Sequence, residues 1–196
     1  MGTAIGLRAQ KGGAVCVVVA VEVSEPKVVL STILATGAAD DRLALAPYAI
    51  ARERALTGAL DEAAAAVAEG RARQDLAASE GLRRIMADTR AATAALLVNR
   101  AGWIGDLLSY SLEWAEHVPV AEGLAVRAAL RAGCRACGLP LVELDEKTMV
   151  ERAVERLGLS GDAIEAQLKA MGAGAGKPWR KEQKLAALAA WVALAG

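Results

Sequence analysis

The chain of 196 residues has no phenylalanine, and all aromatic residues together make up 3% of it. Large rings therefore cannot fill the interior, and Ala, Val and Leu must do so. The hydrophobic fraction of 55% excludes a disordered chain. Cysteine is scarce as well: Cys16, Cys134 and Cys137 form no disulfide framework, which points to a reducing cytoplasm. Excess charge of either sign is absent, because 23 basic residues balance 23 acidic ones. That balance excludes a grip on nucleic acid by the whole surface and leaves room only for a local basic patch. Long apolar runs are missing too. The β-branched run Ala14–Val21 is far too short to span a membrane, so no membrane partner is expected. The sequence shows no basic N-region with a cleavage site, so no secretory signal is expected.

What is there has a clear order. Thr3–Leu7 reads as a short strand, and Lys11-Gly12-Gly13 as a turn. Ala14–Val23 is β-branched and almost wholly apolar, as in a strand buried on both faces. Ser24-Glu25-Pro26 turns the chain into a third strand, Lys27–Leu34, completing an antiparallel meander. From Asp40 to about Arg90 the pattern is helical. Gly58, Gly70 and Gly81 interrupt it, which predicts two helices, and Pro47 fits a first turn. Thr93–Leu144 then reads as strand, crossover helix (Ala121–Gly138) and strand, a unit that requires a parallel pair covered by helices. Three helices follow: Glu146–Leu157, Asp162–Met171 capped by Ser160, and Arg180–Ala195, the last after a glycine-rich linker at Gly172–Lys177. With no internal repeat, residues 1–196 are expected to form one domain, α/β, with a mixed five-stranded sheet: three antiparallel strands, then two parallel to the first.

Two short motifs lead nowhere. Cys134-x-x-Cys137 closes a helix, whereas a redox motif opens one, and only Cys16 and His117 remain as further zinc ligands. The glycine run before Lys177 lacks the leading Gly and the Ser or Thr of a phosphate loop, and no strand precedes it.

The element order, with Ile5-Gly6-Leu7-Arg8-Ala9, Leu96-Leu97-Val98-Asn99, Leu141-Val142-Glu143-Leu144 and Lys184–Ala190, resembles the ribonuclease H-like superfamily, in particular the RuvC-type Holliday-junction resolvases. The resemblance implies a site of four carboxylates holding two magnesium ions: one at the end of the first strand, one at the end of the fourth, two at the start of the last helix. Here those places hold Arg8, Asn99, Lys181 and Lys184, on the reading that Leu185, Leu188, Trp191 and Val192 face the sheet while Glu182 and Gln183 point away. Three cations and an amide cannot hold magnesium, so no metal or other cofactor is expected.

Other residues near the same edge complete the candidate set. Glu122 opens the crossover helix on its sheet-facing side, where a carboxylate suits the helix dipole. It reads either as a structural acid that pairs with a nearby cation or as one half of a functional pair with His117. Arg127, Arg131 and Arg135 read as a solvated stripe. To balance the cations, Glu122 is expected within direct or one-water reach of Arg8 or Lys184. Two functions follow. One is a non-catalytic ribonuclease H-like module that binds a protein or nucleic-acid partner. The other is a divergent metal-dependent nuclease using Glu122, Glu143 or Asp145. A third role, a structural homo-oligomer, would use a patch of Trp103, Tyr110 and Trp114.

Overall fold

The computed structural model describes residues 2–22, 25–99 and 104–195. Its strands are β1 (Gly2–Gln10), β2 (Gly13–Glu22), β3 (Glu25–Ala35), β4 (Thr93–Val98) and β5 (Leu141–Asp145). They form one sheet in the order β3-β2-β1-β4-β5. β1 runs antiparallel to β2, and β2 to β3; β1, β4 and β5 are mutually parallel. The mixed sheet expected from the turn spacing is the sheet observed. β2 is buried along nearly its whole length, as its unbroken Val-rich run demands.

The helices are α1 (Arg42–Leu45), α2 (Pro47–Leu56), α3 (Leu60–Thr89), α4 (Leu107–Glu113), α5 (Val118–Ala136), α6 (Met149–Leu157), α7 (Gly161–Ala175) and α8 (Lys181–Leu194). Ile5, Leu7, Leu96 and Val18 face α3 and α5, where they meet Leu82, Val126 and Leu130. Ala4, Val17, Ala95 and Leu97 face the other way, against Ile164, Met171 and the alanines of α8. This alternation along each strand is the period of two that places residues on opposite faces.

Two expectations are corrected. Of the three glycines, only Gly58 ends a helix; α3 runs unbroken for 30 residues through Gly70 and Gly81. A Cβ on Gly70 would lie 2.5 Å from the Leu43 carbonyl oxygen, so the glycine marks a close approach of elements and not a break. The glycine-rich linker is also shorter than expected, because α7 continues to Ala175. Trp179 lies against Gly172, where a Cβ would come within 2.3 Å of the indole, and its Nε1 donates to the Leu168 carbonyl at 3.0 Å. Trp179→Ala should therefore lower stability by about 2 kcal/mol and the melting temperature by roughly 5 °C. A thermal melt followed by circular dichroism checks this, with Trp179→Phe expected to recover part of the loss.

Candidate functional site

In open sheets the ligand edge lies beyond the carboxyl ends of the parallel strands. Here that edge is formed by the ends of β1, β4 and β5 and the start of α5. Arg8 sits opposite Leu97 near the end of β1, on the α8 side with Gly6. Its guanidinium donates to Glu146, Nε at 3.1 Å and Nη2 at 2.9 Å to the same oxygen. Glu146 opens the short 3-10 turn that follows β5, so the pair spans the sheet edge across β4. The expected partner of Arg8 was Glu122. The actual one is supplied by the chain just past the fifth strand, which the parallel register of β4 and β5 carries to this edge.

Glu122 does something else. Its Oε1 accepts from the amides of Tyr48 and Ala49, at 2.8 and 3.0 Å. These belong to the first turn of α2, whose own cap residue, Ala46, has no side chain able to accept them. Glu122 thus caps a helix from a distant part of the chain. Burial pushes its carboxyl up to about 7; the two amide bonds and the nearby Lys11 pull the other way. Oε2 is enclosed with no hydrogen-bond partner among the described residues.

His117 is not joined to Glu122. Its ring stacks on Tyr110 with centroids 3.8 Å apart, and Nδ1 lies 2.8 Å from the Tyr110 carbonyl oxygen. His117 therefore ties α4 to the start of α5, and Tyr110 is engaged in that contact instead of in an exposed patch. Trp114 is 64% exposed; Trp103 lies outside the described residues.

The last helix is turned differently from the sequence reading. Its closest approach to the sheet is made by small residues: a Cβ on Gly6 would fall 1.8 Å from the Ala186 carbonyl oxygen and 3.1 Å from the Ala190 nitrogen. Leu188, Trp191 and Val192 are buried in the core on this side of the sheet, as expected, but Leu185 and Leu188 also line a cavity of about 530 Å³ beside α6 and α7, together with Lys181 and Lys184. Gln183, expected to point outward, is only 8% exposed, and its Oε1 accepts from the Arg180 amide. Placing the lysines beside Arg8 requires bulky leucines where α8 meets β1, and bulk is excluded where two backbones approach this closely. No hydrogen bond or ion pair joins Lys181 or Lys184 to Glu122.

The residues that do meet at the edge include some that the sequence reading passed over. Arg127 is half-buried, and its Nε is enclosed without a hydrogen-bond partner among the described residues. Burial, with repulsion from Arg131 and Arg8, lowers the pKa of this guanidinium, and Glu146 opposes that shift. The stripe read as solvated is so only at Arg135, since Arg131 is paired with Glu143. A signal was available: Arg127 lies three residues before Leu130, a core residue, and so only about 60° from the buried face of its helix. Asn99 lines the cavities beside Arg127, and Lys147 lines the smaller of them. Asp145 accepts from the Lys147 amide at 2.9 Å.

A pair of magnesium ions does not fit this edge. Arg8 stands among the would-be ligands, and Glu146, a carboxylate at this edge, is already bonded to it. Among the described residues, no group of three or more His, Cys, Asp or Glu side chains is placed to hold a metal ion. Nor is any helix among them long and apolar enough to cross a membrane.

No protein-family model matches the sequence, and no curated protein matches it significantly. Solved structures do match the fold. RuvC of T. thermophilus in complex with a Holliday junction substrate superposes with a TM-score of 0.56 at 11% identity, over 98% of this chain and 92% of that one. A second structure of Thermus thermophilus RuvC gives 0.55 at 12% identity, over 98% and 93%. The fold is thus ribonuclease H-like, of the RuvC type.

Proposed function

We propose that this chain is a RuvC-like module that has no nuclease activity and binds a nucleic-acid partner along the carboxyl edge of its parallel strands. The observation that carries the reading is the Arg8–Glu146 ion pair, which spans the edge where two-metal chemistry needs free carboxylates. A cation there reverses the field that a metal ion requires. The same edge collects Arg127, Arg131 and Lys147, a local basic patch on a chain of zero net charge, and this favours a phosphate-bearing partner over a protein. The cytoplasmic setting and single-domain organisation inferred from the sequence accord with such a module.

The acids on which a divergent nuclease would rely are already engaged. Glu122 caps α2, Glu143 pairs with Arg131, and Asp145 accepts the Lys147 amide. Incubation with branched, duplex and single-stranded DNA or RNA in magnesium or manganese should therefore yield no cleavage product. Fluorescence anisotropy should detect binding that weakens steeply as salt rises. Reproducible metal-dependent cleavage that disappears in Asp145→Asn or Glu122→Gln would overturn the reading.

A further inference from the structure

We propose that Arg127 is the floor of a phosphate-binding pocket at the carboxyl edge of the sheet, completed by Arg71, Arg131 and Asn99. The inference rests on the reading above that the partner is anionic, and it names the group recognised and the residues that recognise it. Arg127 lies where three adjoining cavities meet, of about 430, 340 and 320 Å³. The first of these falls in the size range of small-ligand clefts.

The charge balance around this residue is unequal. Arg8 has Glu146, and Arg131 has Glu143. Arg71 lies beside Tyr48 and near Asp75. Among the described residues Arg127 has no carboxylate bonded to it, although it is half-buried and repelled by both Arg131 and Arg8; Glu146, which opposes them, is already bonded to Arg8. A position one turn from Leu130 would be filled at less cost by an apolar side chain, so a guanidinium only partly balanced there is a standing penalty until an anion joins it. Among the described residues the one acid lining the 430 Å³ cavity, Asp106, is occupied at the start of α4: its oxygens accept from the Leu108 amide and the Ser109 hydroxyl.

The donor set selects among anions. Guanidinium groups present paired N–H donors in a plane and bind phosphate in a bidentate manner. Three of them around one cavity, with the Asn99 side-chain amide, can serve several oxygens of a tetrahedral anion, where a single planar carboxylate would leave donors unmatched. The phosphate can be free, part of a nucleotide, or in a nucleic-acid backbone.

Thermal melts of the whole chain in sodium phosphate and in sodium chloride, at matched ionic strength, test the pocket. Phosphate near saturation should raise the wild-type melting temperature by roughly 5 °C. Arg127→Met should melt higher than the wild type in chloride, because a buried repulsion is relieved, and should show no response to phosphate. An arginine with a merely structural role would instead lower the chloride melt when replaced. Should Arg127→Met fail to fold, Arg131→Gln, on the rim, should weaken phosphate binding about tenfold by titration calorimetry. Equal wild-type melts in the two salts, or an unaltered phosphate response in either variant, overturns the pocket. AMP and a single-stranded oligonucleotide then distinguish the sources. Competition between phosphate and the oligonucleotide assigns a backbone phosphate; competition by AMP alone assigns a nucleotide, and either supports the pocket. Cleavage in the nuclease assay would sink the non-catalytic reading without touching this result.

Discussion

Gly6→Ala should remove a large part of the protein's stability. The added Cβ would fall 1.8 Å from the Ala186 carbonyl oxygen and 2.7 Å from its carbon, and both belong to the backbone of α8. No side-chain rotation relieves such a clash; the helix itself must lift from β1. α8 cannot lift cheaply, because Ala186 to Val192 are all buried and join the core on that side of the sheet. Overpacking a core commonly costs 1–3 kcal/mol, and a backbone-to-backbone site belongs at or above the upper end, so about 3 kcal/mol or more is expected. For a chain of this size that is roughly a 10 °C fall in melting temperature. Gly123→Ala is the control. Gly123 lies within α5 with nothing within 4 Å of an added Cβ, so alanine there should stabilise by about 0.5–1 kcal/mol. Equal melts for the two variants would show that the α8–β1 approach is not as close as described.

The second large effect is a pH dependence carried by Glu122. Its carboxyl is raised from the ordinary 4.5 to about 7, chiefly by burial. Between those values the folded protein holds a proton that the unfolded chain has released. The contribution is therefore complete below 4.5 and is lost as the pH rises through 7. Partial contact with solvent limits the loss to about 1–2 kcal/mol. Glu122→Gln keeps an oxygen for the Tyr48 and Ala49 amides but cannot ionise. It should match the wild type at about pH 4 and exceed it by that same amount, about 1–2 kcal/mol, at about pH 8. Glu122→Ala removes the cap as well, and should be less stable than Glu122→Gln at both by about 1 kcal/mol. Urea unfolding across this range is the measurement. A wild type and Glu122→Gln with parallel pH profiles would contradict the buried, proton-retaining carboxyl.

How much of this was legible beforehand differs by element. The sheet was readable because its signals are local: Lys11-Gly12 and the Pro26 region turn the chain, and the run from Ala14 to Val21 can only be a strand buried on both faces. The start of α2 at Pro47 and the start of α7 after Ser160 were readable for the same reason, since a cap acts within one turn. Gly70 and Gly81 were misread as breaks because a glycine that ends a helix and one that admits a neighbour look alike until the neighbour is known.

The candidate edge shows the same division. Arg8 and Asn99 could be placed near the strand ends from the sequence, and the absence of acids at those positions was plain there. The sequence by itself determined the mixed sheet and its order of elements. Only the tertiary structure decided that Glu146 and not Glu122 meets Arg8, that Glu122 caps α2, and that Arg127 has no acid bonded to it among the described residues. It also decided the rotation of α8, which puts alanines on Gly6 and sends Lys184 toward α6. The physical reason is range. Turns, caps and periodicity are settled within a few residues, whereas ion pairing and helix rotation depend on which distant backbone comes close enough to exclude a side chain or supply a charge.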